Sequence, residues 1–229
     1  MARLTWHGHS TFTLETDQGH RIMFDPYLDE NPRADIRVDE IGDLDYILVS
    51  HGHFDHFLDA IPLAKKTGAV LISTFEIVSF CETKGLRNVH ALNIGGGNRF
   101  DFGYAKMTPA LHGGQVEGDE EGTFTTMPGG FWLGLTGGKR LYFAGDTALL
   151  TDMQLLKGQV DVALLPIGDN FTMGPTDAAR AVEFIEPKVV IPMHYNTWEQ
   201  IAQDPNDFRE LVGERAEVVI LDPGDSYNF

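Results

Sequence analysis

Hydrophobic and polar positions alternate in short runs along the first quarter of the chain. The runs "RLTWHG", "STFTLET" and "HRIMFD" are rich in β-branched and aromatic residues and predict three strands, with "DQGH" as the turn between the last two. "DYILVS" is an unbroken apolar run instead, the pattern of a strand buried on both faces. "AIPLAKKTG" predicts a short helix and "AVLIS" a strand. "TFEIVSFCETKG" predicts a helix with Thr74 as its cap and Gly85 at its end.

The middle of the chain changes character. "VHALN", "RFDFG", "AKMTPALH", "GFWLGLTGG" and "KRLYFAGD" read as successive strands, several joined by glycine-containing turns. The polar, glycine-rich stretch Gly113 to Gly130 is too long for a hairpin turn and predicts a functional surface loop. Alternation of helix and strand then resumes. "TDMQLLKGQ" reads as a helix, "VDVALLPIG" as a strand, "TDAARAVEFIE" as a helix capped near Thr176 and "KVVIPMHY" as a strand. Residues 198–212 read as a helix and "AEVVILDPGD" as a last strand. This order predicts an α/β fold with two central sheets and helices outside them. The halves share a plan without a clear sequence repeat. No linker interrupts them, so residues 1–229 are expected to form a single domain.

Composition narrows the options. A chain of 229 residues buries roughly 70% of its unfolded surface and needs no staple. Lys and Arg total 17 against 34 Asp and Glu, a formal net charge of −17. Such a surface repels a phosphate backbone, so no nucleic-acid partner is expected. Cys81 is the one cysteine and permits no intrachain disulfide; on a helix it reads as a small buried hydrophobe. "MARLTWHGHS" lacks the regions of a signal peptide, and no apolar run is long enough to span a membrane. The expected compartment is the cytoplasm. A homo-oligomer is left open.

The candidate chemistry is concentrated in "SHGHFDH". A lone histidine is usually structural, but this stretch crowds three imidazoles beside a carboxylate directly after a buried strand. Divalent ions of the zinc type take neutral imidazole and carboxylate ligands from several chain segments. Gly52 allows a tight turn. His51 and His53 can aim at one ion, Asp55 and His56 at a neighbour. His112 in "MTPALHGG", Asp146 in "RLYFAGDT" and His194 in "VVIPMHYN" each follow an apolar run, so each can reach the same sheet edge.

His51, His53, Asp55 and His56 stand as H-x-H-x-D-H, which resembles the signature of the metallo-β-lactamase superfamily. His112, "GDT" at Asp146 and "MHY" at His194 resemble its later motifs in order. The resemblance covers nearly the whole chain. It implies a four-layer αββα sandwich with a dinuclear site between the sheets. His51, His53 and His112 would hold the first ion, Asp55, His56 and His194 the second, with Asp146 bridging. "WHGHSTF", "FDPYLDENP", "PIGDNFTMGP" and "PMHYNTW" narrow the resemblance to the small metal-dependent hydrolases of unassigned substrate. More distant similarity runs to L-ascorbate-6-phosphate lactonase and to the phospholipase D that cleaves N-acyl phosphatidylethanolamine. Substrate does not transfer over such distances.

The implied mechanism is hydrolysis. Two divalent ions can share a water and lower its pKa toward neutrality, and the resulting hydroxide attacks carbon or phosphorus. Zinc is expected first, with manganese and nickel also fitting the donors. The diiron oxygen- and nitric-oxide-reducing members carry glutamate where this chain has His53, which favours hydrolysis. Asp55 is a candidate for orienting the nucleophile or moving a proton, with its ligand role first. By resemblance, Asp25 accepts a hydrogen bond from a ligand imidazole. His9 is an active-site candidate, either catalytic or supporting a ligand, and His7 shares its predicted strand face but stays outside the metal set. Asp169, Asn170, Thr172, Asn196 and Thr197 are candidates to line the pocket, with loop hydrogen bonding as the plainer role. His20 and His90 read as structural or exposed. The expected substrate is a small ester, lactone or phosphodiester. A glyoxalase-type thioesterase, a metal-dependent nuclease and a non-catalytic metal-binding or ligand-sensing protein of the same fold are the alternatives.

Overall fold

A computed structural model describes all 229 residues. The chain opens with β1 (Arg3–Trp6), β2 (Phe12–Glu15) and β3 (Arg21–Phe24), an antiparallel run. Parallel strands β4 (Tyr46–Leu48), β5 (Val70–Thr74) and β6 (Val89–Leu92) extend it. A second sheet repeats the scheme. Its strands β7 (Gly97–Phe100), β8 (Gly103–Pro109), β9 (Gly129–Leu135) and β10 (Arg140–Phe143) are antiparallel. Strands β11 (Val162–Pro166), β12 (Val189–Met193) and β13 (Glu217–Val218) continue it in parallel. The last strand, β14 (Ser226–Asn228), returns to the first sheet beside β1. Each sheet has seven strands, and they correspond one to one, β14 and β1–β6 matching β7 and β8–β13.

The correspondence extends to single hydrogen bonds. In the first sheet, the Arg21 amide donates to the Asp45 carboxylate at 2.8 Å and the Asp45 amide donates to the Arg21 carbonyl at 2.9 Å. In the second, the Arg140 amide donates to the Asp161 carboxylate at 2.9 Å and the Asp161 amide to the Arg140 carbonyl at 2.9 Å. The shared plan therefore reaches the backbone, although the sequence repeat is limited to fragments such as "RIMF" and "RLYF".

Alternation explains the layers. Tyr46 and Leu48 join a 42-residue cluster in which Phe24 and Phe143 stack across the two sheets with ring centres 5.0 Å apart. Their neighbours Ile47 and Val49 point the other way, into an 18-residue cluster with the helices α2 (Ala60–Thr67) and α3 (Phe75–Thr83). "DYILVS" is thus buried on both faces, as its pattern predicts. On the second sheet, α4 (Pro175–Ile185) and α5 (Pro205–Val212) cover the other outer face with Ala178, Val182 and Phe208. The result is the αββα sandwich. A short α1 (Phe54–Phe57), within the histidine-rich stretch, precedes α2. None of these helices is long and apolar enough to cross a membrane.

Several element readings need correction. Residues 198–212 are a 3₁₀ turn, Glu199–Ile201, and then α5, because Pro205 lacks an amide donor and Asp204 caps the new helix by accepting from the Asn206 amide at 2.9 Å. "TDMQLLKGQ" is only a 3₁₀ turn, Thr151–Leu156. Met153 alone is buried there, too little apolar face to stabilise a longer helix. α4 starts at Pro175 with Gly174 before it, so Thr176 lies in the first turn and is not the cap. Thr74 does precede α3, yet its hydroxyl bonds Thr126 instead of capping. "AEVVILDPGD" pairs only at Glu217–Val218. The chain is then drawn to the first sheet by bonds between Trp6 and residues Gly224 and Asp225.

Candidate metal centre

Strand ends bring the candidate residues to one edge. His9 follows β1, Asp25 follows β3 and His51 lies just past β4. His112, Asp146 and His194 follow β8, β10 and β12. The histidine-rich stretch is held by the loop Gly113–Gly130. A side chain at Gly52 would place its Cβ 2.7 Å from the Val116 Cα, so this position accepts only glycine. The Glu117 amide donates to the Gly52 carbonyl across the same contact.

Two groups of donor atoms result. In the first, His53 Nδ1 lies 3.1 Å from His51 Nε2 and 3.2 Å from His112 Nε2. Zinc–nitrogen bonds in tetrahedral geometry put donors ~3.3 Å apart, so this spacing is that of three ligands on one ion. In the second group, His194 Nε2 and His56 Nε2 lie 3.6 and 3.7 Å from Asp55 Oδ2. Asp146 lies between the groups. Its Oδ2 is 3.0 Å from His194 Nε2, 3.3 Å from His56 Nε2 and 3.5 Å from His112 Nε2.

The donors fit a cation. His56 Nε2, both ring nitrogens of His194 and Asp146 Oδ1 are buried without hydrogen-bond partners. Unpaired buried polar atoms are costly unless something binds them. The charges divide unevenly. Burial first, then neighbouring imidazoles, holds His51 well below the usual histidine range, and burial lowers His53 and His112 as well. His56 and His194 go up instead. Burial opposes this, but the Asp146 carboxylate outweighs it, and His194 reaches about 9. Despite burial, Asp146 is held well below the carboxylate range by His194 and His56, and Asp55 is lowered by His56 and its imidazole partners.

Outer residues fix the rings. Asp25 is fully buried; its Oδ2 accepts from His56 Nδ1 at 2.7 Å, and its Oδ1 accepts from the Ser50 amide at 2.7 Å. The Ser50 hydroxyl donates to Asp25 and lies 2.9 Å from His51 Nδ1. One carboxylate therefore orients His56 directly and His51 through Ser50, and leaves each Nε2 facing inward. Burial pushes His9 down to about 3, so it is neutral. Its Nε2 lies 3.0 Å from Asp55 Oδ2 and its Nδ1 2.7 Å from the Thr197 hydroxyl. A carboxylate can only accept, so Nε2 carries the proton and Thr197 donates to Nδ1.

Left-handed backbone is concentrated here. His9, Asp25, Asp169, Asn170, His194 and Asn196 have φ between 41° and 59°. The His194 amide donates to the His9 carbonyl at 2.9 Å, which ties two of these turns together. Such conformations gather at functional sites.

A cavity of about 470 Å³ opens onto His53, Asp55, His112, Asp146 and His194. Its remaining walls are Phe54, Phe171 and Trp198 on one hand and Gln115 and Glu117 on the other. The 113–130 loop thus does line the cavity. Asp169, Asn170, Thr172 and Asn196 do not line it, and Thr197 supports His9 instead. Asn170 and Thr172 flank Phe171, the residue of that loop facing the cavity; Asn196 bonds the Gln203 amide. His7 lies apart from both groups, between Asp35 at 2.8 Å and Thr13 at 2.9 Å. His20 sits 3.9 Å from Asp45, and His90 packs edge-on to Phe100. Sequence reasoning missed Ser50, Phe54, Glu117, Phe171 and Trp198. The available signal was their adjacency to candidates, since Ser50 opens the histidine stretch and Trp198 closes "MHYNTW".

Known proteins are similar to this chain in sequence and in fold. A family model described as a beta-lactamase superfamily domain matches residues 3–194. A protein of Heliobacterium modesticaldum named UPF0173 metal-dependent hydrolase is 45% identical over 235 residues, covering 99% of this chain and 97% of that one. A Bacillus cereus protein of the same description is 44% identical over 228 residues, covering 98% of each. The solved structure of Igni18, a metallo hydrolase from the archaeon Ignicoccus hospitalis, superposes with a TM-score of 0.89 at 33% identity. It covers 100% of this chain and 99% of that one.

Proposed function

The chain belongs to the beta-lactamase superfamily, among the UPF0173 metal-dependent hydrolases, and from that membership we propose that its donor groups hold two divalent ions. His51, His53 and His112 would hold one and Asp55, His56 and His194 the other, with Asp146 shared. The observation that carries this reading is Asp146 Oδ2, which lies within 3.5 Å of imidazole nitrogens from both groups. Zinc suits the five imidazoles and two carboxylates; manganese and nickel fit less closely.

Bound ions would lower the pKa of a shared water toward neutrality and stabilise negative charge on a substrate oxygen. The protein's own groups do the rest. Asp25 and Ser50 hold His51 and His56 in the tautomers that leave Nε2 free. Asp55 stays ionised and borders the cavity, where it can orient a nucleophilic water. His9 donates to Asp55 from a fixed tautomer and so positions that carboxylate. Residues 1–229 would act as one hydrolase unit on a small ester, lactone or phosphodiester, in the cytoplasm, where the lone buried thiol of Cys81 is at home.

Elemental analysis of purified protein, coupled to a panel of esters, lactones and phosphodiesters, tests the reading. Near two ions per chain and turnover of at least one class are expected, and His112→Ala should lower both. Metal-replete protein that hydrolyses none of the panel would sink it.

A further inference from the structure

The cavity walls say more about the substrate than the donors do. Phe54 is 44% and Phe171 52% exposed, and both face the same space. Phe54 and Trp198 lie nearly parallel, at 27°, with ring centres 6.2 Å apart. Together these three rings make one apolar wall beside the donor atoms. None of the 10 lining residues is Lys or Arg, and Glu117 is the one charged lining residue outside the two donor groups. Sites that grip a phosphate or carboxylate arm supply Arg or Lys for it; here that place is taken by aromatic rings and a carboxylate.

From these walls, we infer that the cavity takes an uncharged ester or lactone carrying an apolar arm of about phenyl size, and turns away substrates whose arm is anionic. The inference rests on the hydrolytic reading above and narrows it away from sugar phosphates and nucleic acids. The scissile group lies over the donor atoms, and the arm lies along Phe54, Phe171 and Trp198. A volume of about 470 Å³ accommodates both.

The test separates the arm from the chemistry. Metal-loaded protein is titrated calorimetrically with three hydroxamates that share the metal-binding head: phenylpropionohydroxamate, acetohydroxamate and sulfopropionohydroxamate, sulfonate being a weak metal ligand. The phenyl compound should bind about 10- to 100-fold more tightly than the acetyl compound. The sulfonate should bind no more tightly than the acetyl compound. Phe171→Ala should remove much of the phenyl advantage and Phe171→Leu restore most of it. Glu117→Lys should strengthen the sulfonate about three- to tenfold. Tighter binding of the sulfonate than of the phenyl compound to the unaltered protein would overturn the inference. So would a phenyl advantage untouched by Phe171→Ala. The matching 4-nitrophenyl esters are assayed in parallel. Turnover with the arm order reversed defeats the inference alone. The predicted arm order without turnover defeats the hydrolytic reading and leaves the wall assignment standing.

Discussion

The two halves of the molecule place the same residue types at matching points and use them differently. After its first matched strand, each half carries a histidine: His9 after β1 and His112 after β8. After the third, each carries an aspartate: Asp25 after β3 and Asp146 after β10. In the second half, His112 and Asp146 are in the donor groups themselves. In the first half, His9 and Asp25 stand one contact further out, against Asp55 and His56. Reach accounts for the difference in the aspartates. Asp25 directly follows Phe24, whereas Ala144 and Gly145 separate Asp146 from Phe143 and carry it between the two groups. At these two matched positions, then, the second half places side chains in the donor groups and the first half places side chains that support them.

That comparison can be broken most sharply at the two aspartates. Asp146→Asn should lower kcat/KM by about a thousandfold or more and cost bound metal that excess metal does not restore. Asp25→Asn should instead weaken metal affinity about 10- to 100-fold, with activity returning as metal is added. Equal, unrescued losses would show that the two aspartates share one role. Metal titrations followed by activity assays decide between these outcomes.

Ser50 sharpens the comparison further, because its relay serves the histidine-only group alone. Ser50→Ala should reduce affinity at His51, His53 and His112 about tenfold and leave the other group nearly unchanged. Cobalt substitution, read by absorption spectra of each site, would resolve the two. A uniform loss at both sites would contradict the relay.

The smallest expected effect lies in the paired strand-end bonds. Asp161 is buried and gathers Arg140 and Lys188, whereas Asp45 is exposed and meets mainly the Arg21 amide. Asp161→Ala should cost about 1–3 kcal/mol and Asp45→Ala less than about 1 kcal/mol, measured by urea unfolding. Despite the cost of burial, Arg140 and Lys188 hold Asp161 below the usual carboxylate range. Its contribution is therefore full above pH ~4 and is lost as pH falls through the depressed value. The stability gap between Asp161→Ala and the parent should narrow in that acidic window. A constant gap down to pH ~2 would refute the charge pairing.

Much of this was legible because strands and ligands obey local rules. The unbroken run at "DYILVS" and the alternation at "RLTWHG" follow from burial on two faces or one, and the seven donor candidates all sit just past apolar runs. Helix extent was less legible where one proline or one buried methionine decides it, as at Pro205 and Met153. The aromatic wall was hidden for another reason. Phe171 faces the cavity while Asp169 and Asn170 hold the left-handed turn that aims it, and no periodicity in the sequence records such a turn. Ser50 was invisible because its importance lies in a contact with Asp25, 25 positions away.

The left-handed turns around the centre have an evolutionary consequence. For a histidine such a turn costs roughly 1–2 kcal/mol that glycine would not incur, and for aspartate or asparagine less. His9, Asp25 and His194 are pinned, because glycine there would delete a side chain the centre uses. Asp169 and Asn196 also use theirs, accepting from the Asn170 and Gln203 amides, which leaves Asn170 as the turn most open to exchange with glycine among relatives.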